Sequence, residues 1–255
     1  MENPNIKKDQ YSPMAAILAA IFAVFVLVSF LSHRGEDVGQ LGRLIGNLGG
    51  GPIFGIGIFG SIAGAAIALL IAGTWFGIGS FAASFVRVSK EENRSRLLDF
   101  AIKSAAGAAI WSLIWFFLGL AGAYNRTTAL LAIIIGIGFA GVGLRGLVRK
   151  TVESRVAEKA ALFDRALLVL IAIPVVLALI ASLAPPTAKD TLLYHFAVPK
   201  AFIAQGSSNF IEGNIASYLA VGIEMQNVWA MLLGDFFGQR AAEAAAGAVN
   251  FAFFP

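Results

Sequence analysis

Between Pro185 and Phe202 the sequence reads PPTAKDTLLYHFAVPKAF. Lys189, Asp190, Tyr194, His195 and Lys200 fall within a dozen residues of a chain that is only 13% charged. These side-chain types could handle protons and anions. A carboxylate such as Asp190 can take a proton from a hydroxyl. A cation such as Lys200 or His195 can stabilise negative charge growing on a departing group. Glu212 follows in the polar stretch SSNFIEGNIASY. Glu224 follows inside an apolar run, where a carboxylate is costly and marks a functional candidate. Structural roles compete with each of these. Asp190 could cap the helix that starts beside it. Tyr194 and His195 suit an interfacial anchor, and Lys200 could snorkel to lipid headgroups.

The elements that must position these residues are apolar helices. The chain is 58% hydrophobic, and several runs approach the ~20 residues that cross a ~30 Å hydrocarbon core. The expected architecture is all-α: a polytopic transmembrane bundle of about six spans plus a truncated seventh. The spans fall near Pro13–Ser32, Ile53–Val86, Lys103–Tyr124, Ala129–Leu147, Ala166–Ala184 and Ala216–Phe237. Ile53–Val86 is read as one long tilted helix. The final stretch AAEAAAGAVNFAFFP reads as the start of the seventh. Residues 1–165 form an N-terminal group of about four spans with cytoplasmic loops. Residues 166–255 begin a second module, with an outer loop at 185–215.

Within that loop Pro185 and Pro186 stop the fifth helix. From Thr191 to Gln205 apolar Leu192, Leu193, Phe196 and Ile203 recur at helical spacing, which predicts short helical segments lying in the interface. Pro199 interrupts them and Gly206 ends them.

Charge sets the orientation. With the N-terminus inside, fourteen basic residues, Arg240 among them, face the cytoplasm and five face outward, accounting for all 19. The positive-inside rule favours this arrangement and puts residues 185–215 outside. The net charge of +4 is thus a membrane signature and calls for no nucleic acid. Cysteine is absent, which removes disulfides, thiolate catalysis and Cys-type zinc sites. Gly55, Gly57 and Gly60, and again Gly136, Gly138 and Gly141, have G-x-G-x-x-G spacing. Both sets lie in membrane-length apolar runs, where small residues serve close helix packing and not a dinucleotide fold.

The stretch from Pro185 to Met225 resembles the first large outer loop of bacterial polytopic glycosyltransferases of the GT-C fold. Within these it is most similar to the dolichyl-phosphate-mannose-protein mannosyltransferase-like group, glycosyltransferase family 39. The resemblance rests on Pro185, Pro186, Asp190, Tyr194, His195, Pro199, Lys200, Gly206, Asn214 and Tyr218 and covers about 40 residues. Lys189 stands where several members carry an aromatic residue.

The resemblance implies transfer of a sugar from a polyprenyl-phosphate donor to an acceptor on the outer face of a bacterial cytoplasmic membrane. It implies Asp190 as the catalytic base or the group that orients the acceptor. Tyr194, His195, Lys200, Glu212 and Glu224 are the candidate substrate-binding residues. No metal-ligand cluster is evident at recognisable spacing. A divalent cation is left open, since Asp190, His195 and Glu212 could converge in space. Members of the group are longer, so the expectation is an N-terminal fragment of a larger protein. Two other classes stand beside this reading: a transporter or flippase-like protein, and a non-catalytic membrane assembly subunit. The first would require polar groups or broken helices in several spans.

Overall fold

The computed structural model describes residues 13–40, 57–85, 96–152, 162–187, 189–218 and 222–253. Among these there are eight α-helices and no strand: α1 (Pro13–Gly39), α2 (Gly57–Phe85), α3 (Arg96–Leu120), α4 (Arg126–Val152), α5 (Leu162–Leu183), α6 (Ala197–Gln205), α7 (Gly222–Gly234) and α8 (Gln239–Ala252). The chain is all-α, as expected. Three helical stretches are long and apolar enough to cross a membrane: Ile17–Glu36, Gly57–Phe85 and Leu97–Leu120. Two shorter apolar stretches, Arg126–Gly141 and Leu167–Leu183, follow.

The chain divides into two compact units, residues 1–46 and 47–255. The first contains α1. Its apolar residues Ile17, Phe22, Phe25 and Val28 are all exposed, as befits a helix apolar on every side with no core of its own.

In the second unit α2 is central and packs against α3, α4 and α8. It is one unbroken 29-residue helix, as the run Ile53–Val86 predicts; Ile53 and Val86 themselves lie outside the described residues. Glycines set the helix spacing. A Cβ at Gly79 would run into the Lys103 carbonyl oxygen, and one at Gly107 into that of Trp75. The two backbones therefore touch where only hydrogen covers the Cα. Of the glycines singled out by spacing, a Cβ at Gly60 would come within 2.9 Å of the Arg240 side chain and one at Gly136 would run into Thr74. Gly138 and Gly141 face open space, and Gly55 lies outside the described residues.

The core gathers around α7. All four tryptophans are buried: Trp75, Trp111, Trp115 and Trp229. The Trp111 and Trp229 rings lie 4.6 Å apart, and those of Trp115 and Trp229 5.7 Å apart. Gln226 is fully buried among them. It accepts a hydrogen bond from Trp75 Nε1 at 3.2 Å and donates to the Ala108 carbonyl at 3.0 Å and to Ser112 Oγ at 3.1 Å. A buried amide with its groups satisfied on two neighbouring helices fixes the register of all three.

The expected sixth span, Ala216–Phe237, takes a different form. The α-helix covers only 13 residues, Gly222–Gly234, or about 20 Å at 1.5 Å per residue, short of a hydrocarbon core. Short 3-10 turns, Ile215–Tyr218 and Asp235–Phe237, flank it. Every residue from Glu224 to Gly234 is buried. An apolar run buried inside protein and one bathed in lipid look alike by composition.

The turn between α7 and α8 therefore sits at the same end of the bundle as the α3–α4 turn. Arg126, opening α4, forms an ion pair with Asp235 and stacks over the Phe236 ring at 5.3 Å. Lys200 Nζ reaches Glu243 at 2.7 Å. Arg240 donates to Ser61 Oγ at 3.0 Å, near the start of α2, and to the Leu183 carbonyl at the end of α5. Sequence reasoning puts Arg240 at the opposite end from Lys200, across a sixth span. The structure corrects this, because both residues belong to one cluster of contacts.

Candidate functional site

Several segments meet at this end. The α3–α4 turn is shaped by Gly122 at φ 71° and by Asn125, whose Oδ1 accepts from Thr128 N at 2.9 Å and so caps α4. The Tyr124 amide donates to the Gly206 carbonyl at 3.0 Å, and the Ser208 amide to that of Gly119 at 3.1 Å. These bonds dock the end of α6 on the top of α3. Burial pushes the Tyr124 phenol up, well beyond its ordinary value, with the neighbouring Ser208 hydroxyl partly opposing it. The phenol stays protonated and donates to the Trp115 carbonyl at 2.9 Å.

The segment carrying the candidate residues behaves largely as its sequence predicts. α5 stops at Leu183, just before Pro185 and Pro186. Gly206 caps α6 in the left-handed region at φ 71°. Pro199 does not break a helix. It falls in the first turn of α6, where an amide hydrogen has no intrahelical partner to lose. The interruption comes at Phe196, after a π-helical turn at Thr191–His195 closed by Phe196 N and the Thr191 carbonyl at 2.9 Å. Such turns are rare and concentrate at functional sites. Phe196, Val198 and Phe202 are buried against the bundle, whereas Leu192 and Leu193 are exposed. The apolar side of α6 is thus covered by protein, in place of the purely interfacial helix expected.

Asp190 is exposed in helical backbone (φ −66°, ψ −37°), and its side chain makes no cap hydrogen bond. The capping role is not taken up: the backbone is already helical at this residue, so its carboxylate is not aimed at the next amides. Thr187 and Thr191, on either side of it in sequence, line a cleft of about 390 Å³ between the end of α5 and α8. Pro185, Pro186 and Phe251 give this cleft apolar walls.

His195 and Glu224 come together. His195 Nδ1 lies 2.7 Å from Glu224 Oε1. The carboxylate can only accept when ionised, so the ring donates from Nδ1. Glu224 is 5% exposed, and the His195 side chain is 34% exposed. Asn227, one helical turn beyond Glu224 and fully buried, donates from Nδ2 to the His195 carbonyl at 3.1 Å. The Tyr194 ring lies 4.1 Å from the imidazole.

Lys200 does not join this group. It pairs with Glu243, which also accepts from Gln239 at 3.2 Å. Burial alone would raise the Glu243 carboxyl. The hydrogen bonds from Lys200 and Gln239, with the charges of Lys200 and Arg240, outweigh burial and hold it below the ordinary carboxylate range. Burial likewise lowers Arg240, with the Glu243 charge opposing.

Glu212 is exposed in a separate turn. Asp190, His195 and Glu212 do not gather: among the described residues no three His, Asp or Glu side chains stand close enough to hold a metal ion. Sequence reasoning missed Gln226, Asn227 and Glu243. The signal for the first two was available, since amides inside an apolar run mark helix–helix hydrogen bonding.

Comparison with known proteins adds no relative: no family model, no curated protein and no solved structure matches the chain.

Proposed function

We propose that the chain is part of a membrane glycosyltransferase of the GT-C type, working on a polyprenyl-phosphate sugar at the extracytoplasmic face. The observation supporting this reading is that one short segment carries Asp190, Thr191 of a cleft with apolar walls, and the His195 that pairs with Glu224. A lipid-linked phosphosugar needs all three kinds of surface. The orientation follows from basic residues: Arg240 now joins the outward group, and the cytoplasmic excess of Lys and Arg persists.

The chemistry is a single displacement. Asp190 takes the proton of an acceptor hydroxyl as its oxygen bonds to the anomeric carbon. The bond from that carbon to the phosphate oxygen breaks, and the electron pair leaves with the phosphate. Attack opposite the leaving group inverts the anomeric configuration. The sugar arrives activated, so no nucleotide-binding fold is required.

The test uses membranes from cells expressing the complete reading frame, wild type or Asp190→Asn at equal abundance, supplied with radiolabelled polyprenyl-phosphate sugars. The expected outcome is label transfer by wild type and a loss of about 100-fold or more in the variant. Equal transfer by both removes Asp190 as the base. No transfer by either, across a range of sugars, removes the transferase reading.

A further inference from the structure

We propose that His195, backed by Glu224, binds the phosphate of the donor, with Nε2–H donating to an anionic phosphoester oxygen. This rests on the reading above. It also settles a choice that residue types leave open, because Lys200 and His195 are both plausible partners for that charge. Lys200 is committed: its ammonium sits 2.7 Å from Glu243, and Gln239 completes that carboxylate. Recruiting it to a phosphate would take it from a carboxylate that is 14% exposed, whereas the His195 ring has a nitrogen without a partner among the described residues.

His195 is arranged in the opposite way. Glu224 holds one edge of the ring, at Nδ1. The other ring nitrogen, Nε2, makes no hydrogen bond to any described residue. A buried carboxylate behind an imidazole fixes its orientation and offsets its positive charge when the ring is protonated. The partly exposed ring then offers a charge-assisted N–H at Nε2 while its charge stays paired with Glu224.

The backbone is fixed as well, through the Asn227 bond to the His195 carbonyl. The same π turn contributes Thr191 to the apolar-walled cleft, so the first isoprene units have a place beside the headgroup. Glu224 is a positioning residue here, acting through His195.

The chain has only two histidines, His33 and His195, so imidazole NMR can watch this site directly. The purified full chain in detergent, with isotope-labelled histidine, is titrated with farnesyl phosphate, farnesol, a diacyl phosphatidic acid and inorganic phosphate. His33, hydrogen-bonded within α1 to the Ser29 carbonyl, serves as the internal reference.

The expected result is a saturable shift of the His195 signal with farnesyl phosphate and none with farnesol. Glu224→Gln should weaken the apparent affinity about ten-fold, the size of a lost charge-assisted contact. Lys200→Gln should leave it within about two-fold. A His195 signal unmoved by farnesyl phosphate overturns the proposal, as does a larger loss in Lys200→Gln than in Glu224→Gln. An equal response to phosphatidic acid or to inorganic phosphate overturns the assignment to an isoprenyl donor. If binding is as expected but no sugar is transferred, the phosphate site stands and the transferase reading falls. Transfer with a silent His195 removes only this proposal.

Discussion

Glu243 carries a measurable consequence of the contacts at the candidate end. Its carboxyl is held below the ordinary range in the fold and returns to that range, near 4.3, in the unfolded chain. The ionised form is therefore favoured by folding. The stabilisation is fully present above the ordinary carboxylate range and is lost as pH falls through the lowered folded value. Lys200 is 45% exposed, so screening limits the contribution to about 0.5–1 kcal/mol. Glu243→Gln should melt below wild type at neutral pH by that amount, and the gap should close on acidification below pH ~4. A gap unchanged down to the lowest pH would mean that the Lys200–Glu243 pair does not contribute. None of this pairing was legible in the sequence, because 43 positions separate the two residues and the expected sixth span placed them on opposite sides. The Asp190 to Lys200 cluster was legible by type. What sequence could not supply was its division, in which His195 goes to Glu224 and Lys200 to Glu243.

At the level of elements, glycine placement decides how the helices meet. Gly107 and Gly79 form a reciprocal contact between α2 and α3 in which each Cα faces the other helix's carbonyl. Gly107→Ala should force the backbones apart and cost about 1–3 kcal/mol. Gly73, on the same α2 helix, has open space where a Cβ would go. Gly73→Ala should be neutral or stabilise by about 0.5–1 kcal/mol. Thermal melts of the two variants in one detergent compare them, and equal behaviour would contradict the packing described. Long helices and their stops were readable from apolar length and from Pro185, Pro186 and Gly206. The packing glycines were readable as a class but not individually: Gly60 and Gly136 pack, whereas Gly138 is open. Spacing within one helix carries no record of which face meets a neighbour.

For the whole molecule, the main departure from the sequence reading is the fate of residues 216–252. Apolar content alone turned α7 into a membrane span. Its length of 13 residues and the ties of its flanking turn to Arg126 make it the first arm of a hairpin buried in one end of the bundle. The consequence is a one-ended arrangement: Asp190, His195, Lys200, Asp235 and Arg240 lie on the same side, which the proposed orientation turns to the cell exterior. The protein has no cysteine, so single-cysteine accessibility is a direct probe. Lys189→Cys and Gln239→Cys lie at exposed positions at the candidate end, and Ser84→Cys at an exposed position at the far end of α2. Intact cells treated with a membrane-impermeant maleimide should label Cys substitutions at 189 and 239 alike, and the one at 84 only after permeabilisation. Labelling at 239 that follows position 84, while 189 reacts from outside, would restore a sixth span and contradict the one-ended site.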